Sequence, residues 1–331
     1  MNQSLRCVLC CPHFPAFLIS CSALLAKISY DPQSDTLIHL GDIISKDKKI
    51  SSDPILNFMS SSQTLGVRGN NDQKVVEWRA WMEWIMSLPG GKSWLKDVDS
   101  KWPNFDGDVS SAEFDTWLKK SHKKWKGYVP GGWKLLGSHY KVARDMSRTH
   151  YDYLCSLPLV LHAPTAHTFF VHAGLLPADP KRKISDPKQP LSHWPTPANP
   201  EDDDVALRGL QEMSLLNDIP QNHDPWVVMN MRSLSKKGKV KKGKKGTPWA
   251  ELWNDVMSRC SGVPADAFGH SSATGALLDC FPSTVIYGHA AVRDLDVQRW
   301  SVGLDTGCVS NLGLLFIEPS DTGLARHMAV G

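Results

Sequence analysis

Four apolar runs in the chain each end beside a small residue and a polar side chain able to bind a metal. They are 36-TLIHLGD-42, a run ending at 69-GN-70, 168-TFFVHAG-174 and 284-TVIYGHA-290. These runs have the length and the β-branched and aromatic content of buried strands. In an open α/β sheet the ligand crevice lies just past the carboxyl ends of the strands. The recurrence therefore brings Asp42, Asn70, His172 and His289 toward one edge. The expected fold class is α/β, built as one domain with insertions, because 331 residues lie close to what a single core can organise.

Apolar residues make up 41% and charged residues 21% of the chain, which excludes extended disorder over most of its length. The 37 basic and 34 acidic residues leave a net charge of +3, so overall charge selects no partner. The eight cysteines are scattered and read as ordinary thiols rather than a disulfide framework. Cys7-x-x-Cys10 has redox or zinc spacing but no second pair. The N-terminal run 7-CVLCCPHFPAFLISCSALLA-26 is broken by Pro12, His13 and Pro15 and reads as the beginning of a core helix, helical from Phe17 to Lys27. No later segment reaches the ~20 apolar residues that a membrane span needs.

Two insertions separate the strand-like runs. The first, about 73–150, carries Trp78, Trp81 and Trp84 at helical spacing, followed by Trp94, Trp102, Trp117, Trp125 and Trp133. Such spacing describes a packed helical cap more readily than a ligand cage. The second, about 178–262, begins rich in proline, passes through 201-EDDD-204 and carries 236-KKGKVKKGKKG-246 with its seven lysines. That run reads as a flexible basic loop, either a solvated charge run or a guide for a polyanion. No aromatic residues interleave for base stacking, so polyphosphate fits better than nucleic acid.

One carboxylate, one carboxamide and two imidazoles form an oxygen and nitrogen set suited to zinc, manganese or iron. Singly, each has a plain structural reading as a turn or strand-end residue. Four of them at successive strand ends point to a metal centre.

The ordered motifs 41-GDIISK-46, 69-GNND-72, 172-HAG-174 and 288-GHA-290 resemble the calcineurin-like metallophosphoesterases, in the branch that holds phosphoprotein phosphatases and diadenosine tetraphosphatases. Longer stretches are similar to the fungal zinc-dependent vacuolar endopolyphosphatases: 29-SYDPQSDTLIHLGDIISK-46, 66-GVRGNNDQKVVEWRAW-81, 219-IPQNHDPWVVMNMRS-233 and 284-TVIYGHAAVRDLDVQRWSVGLDTGCV-309. The resemblance implies a sandwich of central sheets flanked by helices, with the tryptophan-rich insertion added. It implies two divalent ions (zinc, manganese or cobalt), with Asp42 bridging them and Asn70, His172 and His289 completing one set. It also implies that Lys46 and Arg232 face the substrate phosphate. In-line attack on phosphorus needs an activated water and cations aimed at the equatorial oxygens, so these assignments are chemically coherent. A vacuolar location follows from the resemblance, and a cytoplasmic one from the residues present.

Three departures qualify the resemblance. An Asp-x-His-Gly motif is expected on a strand one helix before Asp42, yet no aspartate precedes Asp31. The expectation is an N-terminally truncated domain that lost this motif upstream, leaving the second ion without two ligands. Asn71 stands where the family has a histidine that protonates the leaving oxygen, and Ser45 where an aspartate orients it. A carboxamide donates no titrating proton, and a leaving phosphate needs one less than an alkoxide does. The substrate expectation therefore tilts toward phosphoanhydrides. Finally, 310-SNLGLLF-316 departs from the usual continuation of 303-GLDTGCV-309.

The leading functional expectation is an endopolyphosphatase, with a Ser/Thr protein phosphatase or a diadenosine tetraphosphatase as alternatives. A catalytically inactive polyanion-binding protein is the alternative from another class.

Overall fold

The computed structural model describes residues 4–8, 25–26, 29–44, 51–62, 64–108, 111–121, 125, 127–196, 203–262, 276–290, 295–305 and 314–317, with backbone alone for the first and last segments. Strands β1 (Ser4–Val8) and β2 (Asp35–His39) pair in parallel. Helix α1 (Asp53–Ser61) then leads to β3 (Leu65–Gly66), which pairs in parallel with β2. The tryptophan-rich region follows as α2 (Asn70–Ser87), α3 (Gly91–Lys101), α4 (Ala112–Ser121), α5 (Ser138–Asp145) and α6 (Arg148–Ser156).

A hairpin of β4 (Val160–Ala163) and β5 (Thr168–Val171) opens a second sheet. Helices α7 (Asp204–Asn217) and α8 (Pro225–Asn230) come next. Three short strands follow, β6 (Ser233–Leu234), β7 (Val240–Lys241) and β8 (Thr247–Pro248), and then α9 (Trp249–Met257). Strands β9 (Thr284–Tyr287), β10 (Asp296–Val297) and β11 (Ser301–Gly303) complete the second sheet, and β12 (Leu314–Ile317) returns antiparallel to β1. The first sheet runs β12-β1-β2-β3 and the second β10-β11-β9-β5-β4.

The fold is α/β, with the two sheets packed face to face. Successive strand residues point to opposite faces, and the core records this. Ile38 of β2, Phe170 of β5, Ile286 of β9 and Val302 of β11 share one buried cluster between the sheets. Their neighbours point outward. Leu37 packs under α1 to α6 together with Trp78, Trp81 and Trp94, whereas Phe169, Val285 and Tyr287 pack under α7 to α9. Both central strand sets are buried on two faces, which is why they read as continuous apolar runs.

The tryptophans are mostly packing elements. Trp78, Trp81, Trp94 and Trp125 are buried, whereas Trp84 is 45% exposed. Trp78 meets Trp133 at 4.6 Å and Trp94 stacks on Trp125 at 5.3 Å.

Several expectations are corrected. Cys7 and Val8 lie in strand β1 rather than in a helix, and the expected helix from Phe17 to Lys27 falls almost wholly outside the described residues. The lysine run is loop over most of its length, with Val240 and Lys241 as a two-residue strand in its middle. Those two residues belong to a three-stranded sheet in the order β7-β6-β8, in which Leu234 pairs with Val240 and the Arg232 amide donates to the Lys241 carbonyl at 2.9 Å. Backbone pairing anchors the middle of the segment while its lysine side chains remain in water. Cys260 and Cys280 form a disulfide, brought within a Cα separation of 4.8 Å by the short bridge between Cys260 and Leu278. Cys155 is a free, exposed thiol.

Candidate metal centre

Two glycine turns build the floor of the site. Past β2, Gly41 and Asp42 adopt left-handed φ values of +81° and +56°. A Cβ on Gly69 would lie 2.2 Å from the Asp42 amide nitrogen and 2.3 Å from its Oδ1, so only glycine lets the two strand ends touch. Asp72, three residues into the next turn, ties these ends together. Its carboxylate accepts from the amides of Gly69 at 2.9 Å, Asp42 at 2.7 Å and Ile44 at 3.2 Å. The first of these bonds also caps the N-terminus of α2. Burial, and next the neighbouring Asp42 carboxylate, push Asp72 up to about 6 against these hydrogen bonds.

Asp42 is oriented in turn by Asn71, whose backbone amide donates to Oδ1 at 2.8 Å and whose Nδ2 donates to Oδ2 at 2.5 Å. From the second sheet come His172, past β5, and His289, past β9 at a left-handed φ of +63°. The amide of Gly288 donates to the His172 carbonyl at 2.9 Å and locks the two strand ends together. Asp42, His172 and His289 offer ligand atoms that all lie within 4.8 Å of one another.

Proton bookkeeping shows what this cluster lacks. His172 Nδ1 donates to the Leu40 carbonyl at 2.7 Å, so Nε2 is the ring atom turned into the site and available as a ligand. That Nε2 faces Asn70 Oδ1 at 3.2 Å and Asp42 Oδ1 at 3.5 Å. Asn70 cannot reverse its amide, since its Nδ2 donates to Asn71 Oδ1 at 3.3 Å. His289 adds a buried Nε2 with no hydrogen-bond partner, its ring being held by a backbone hydrogen bond to Asn230. Burial first, then His172, Arg232 and Lys242, lowers His289 to about 2 and keeps it neutral. Two imidazole nitrogens and two oxygens converging at this spacing form a set suited to a divalent transition ion. The residues present therefore fit one metal.

A further buried histidine backs the floor. His39 Nδ1 accepts from the Gly41 amide at 3.2 Å and Nε2 meets the Tyr153 hydroxyl at 2.8 Å. Burial, then His172, lowers it to about 3.

Of the residues singled out in the sequence, Asp42, Asn70, His172 and His289 come together here, with Asn71 bonded to Asp42. Arg232 stands alongside, its NH2 donating to the His289 carbonyl at 2.9 Å and its Nε buried without a partner. Lys46 and Ser45 lie outside the described residues, as do positions 306–309 of the 303-GLDTGCV-309 run. Strand β1 pairs in parallel with β2 and carries Ser-Leu-Arg-Cys-Val, so the strand directly before Asp42's own holds no aspartate or histidine. Two neighbours were missed by sequence reasoning. Asp72 had a legible signal, its place three residues after an N-cap glycine. His139 had none, since its Nε2 reaches Asn71 Oδ1 at 3.2 Å across 68 positions.

No family model matches the chain, and no curated protein matches it in sequence. Among solved structures, that of a protein described as a candidate diadenosine tetraphosphatase is similar at 19% identity and a TM-score of 0.48, the likeness covering 96% of this chain and 89% of that one.

Proposed function

We propose that the chain is a metal-dependent hydrolase of phosphoanhydride bonds with inorganic polyphosphate as its substrate, built on a calcineurin-like metallophosphoesterase sandwich. The observation that carries this reading is the convergence of metal-ligand atoms from Asp42, Asn70, His172 and His289 beside the Arg232 guanidinium. A divalent ion in such a set acidifies water and polarises a phosphoryl oxygen.

The protein's own residues do the rest. Arg232 is pinned through NH2 to the His289 carbonyl, which holds the guanidinium beside the site as a cation for an anionic oxygen. Lys46 is proposed as a second cation on the phosphate. Asn71 holds Asp42 in one orientation through both carboxylate oxygens. The seven lysines of 236–246 lie in and around a short strand paired with β6, which starts one residue after Arg232, and Lys242 is close enough to depress the His289 ring. That places a basic surface beside the site, where a long polyanion extends after its scissile bond is bound.

A second reading, a polyanion-binding protein without catalysis, is favoured by strand β1, whose five residues include no aspartate or histidine for a second ion. One assay separates them: polyphosphate, diadenosine tetraphosphate and a phosphopeptide compared with zinc, manganese and cobalt in turn. Polyphosphate should be cleaved fastest. Preference for the phosphopeptide would overturn the anhydride assignment, and retention of polyphosphate without cleavage of any substrate would select the binding protein.

A further inference from the structure

The Asn71 side chain fixes the proton of a histidine that no motif contains. A carboxylate only accepts, so the atom of Asn71 facing Asp42 must be nitrogen, and Oδ1 is turned toward Asn70 Nδ2 and His139 Nε2 at 3.3 and 3.2 Å. An amide oxygen donates nothing, so Nε2 of His139 carries the hydrogen. An imidazole N–H therefore points into the site, one side chain away from Asp42. His139 sits half-buried in the first turn of α5. It also lines a cleft of about 350 Å³ together with Lys74, Trp133 and Lys134. Lys74 and Glu77 of α2, with Asp108 and Lys134 of the insertion, are the charged groups sharing that cleft. Asp42 lies across Asn71.

We infer that this cleft receives the leaving group and that His139 is its general acid when that group is an alkoxide. The inference rests on the metal-dependent hydrolase reading and extends it from anhydrides to phosphate monoesters, as a slower second activity. Water oxygen forms the new bond to phosphorus while the bond to the ester oxygen breaks, its electron pair going to that oxygen. The Nε2 proton of the imidazolium moves onto it and an alcohol departs. The ring, keeping its Nδ1 proton, recovers the other from solvent. The helical insertion thus brings a proton donor to the place beside Asn71 that the local sequence leaves without one.

The test compares an alkyl phosphate with p-nitrophenyl phosphate, whose leaving oxygen needs no proton. His139→Gln should lower the ratio of the two turnover rates about 100-fold, the scale of general acid catalysis. His139→Ala should do the same and recover part of the ratio with added imidazole. Side-chain nitrogen NMR of the metal-free protein should show the Nε2–H tautomer at His139. Equal losses on both substrates, no loss on either, or an Nδ1–H tautomer would overturn the assignment. Should the unsubstituted chain be inactive on both esters and on tripolyphosphate, the hydrolase reading falls and this inference with it.

Discussion

His172 Nδ1 lies 2.7 Å from the carbonyl oxygen of Leu40, a hydrogen bond that crosses from the second sheet to the first. It puts a hydrogen on Nδ1 of His172 and turns Nε2 toward Asp42 and Asn70. The site is thus organised by the fold before any ion arrives.

That preorganisation sets the expected metal behaviour. Adding zinc, manganese or cobalt to the metal-free chain should raise its melting temperature, by the equivalent of about 2.7 kcal/mol when free ion exceeds Kd 100-fold. His172→Ala and Asp42→Asn should each abolish the rise. Elemental analysis should find one tightly held ion per chain, because the described residues gather a single group of ligand side chains. Two retained ions would contradict this.

The glycine floor should tolerate no side chain. In Gly69→Ala the new methyl would overlap the Asp42 backbone, which cannot rotate away as a side chain could. A loss of ~3 kcal/mol in urea unfolding, at the severe end of overpacking effects, should accompany loss of metal binding. A near-neutral variant that still binds metal would show that the strand ends can part freely.

Glu212 supplies a pH-dependent contribution away from the site. It is fully buried under β4 and β5, bonded to His162 Nε2 at 2.7 Å, His167 Nδ1 at 3.0 Å and the Ser283 hydroxyl at 3.1 Å. Burial alone would raise its pKa, but the two histidines outweigh burial and hold it below the ordinary 4.5. A carboxylate depressed on folding stabilises fully above its unfolded value, and that stability is lost as pH falls through the folded value. Melting temperature should therefore drop as pH is lowered below the ordinary value, and Glu212→Gln should flatten this drop while costing ~1–3 kcal/mol at neutral pH. Superimposable melting curves for the two proteins would refute the assignment.

The lysine-bearing sheet should act on long substrates only. Changing Lys241, Lys242, Lys244 and Lys245 together to glutamine should raise KM for long-chain polyphosphate several-fold and leave tripolyphosphate little changed. The difference should shrink as salt shortens the Debye length to ~3 Å at 1 M. An equal effect on both chain lengths would place these lysines outside substrate binding.

Strands β2, β5 and β9 were legible in the sequence because each is buried on both faces and ends at a glycine or small residue. Strand β1 was not, since five residues of Ser-Leu-Arg-Cys-Val before a proline-interrupted run carry no alternation to separate strand from helix. Within the lysine segment the short strand at Val240 was not legible, because charge signals solvation of side chains and says nothing of backbone pairing, which here turns on Leu234 meeting Val240. The approach of His139 to Asn71 and the joining of Cys260 to Cys280 are products of tertiary packing. No spacing rule connects residues brought together by the docking of separate elements.

The four acceptor atoms arrive two by two, Asp42 and Asn70 from the first sheet, His172 and His289 from the second. An ion shared among them would act as a rivet through the open edge of a book whose binding is the apolar filling of Ile38, Phe170, Ile286 and Val302. Metal affinity and the fit of that filling then become two measures of one spacing. A methylene removed from Ile286, which touches no ligand atom, becomes a handle on how tightly the distant edge grips its ion.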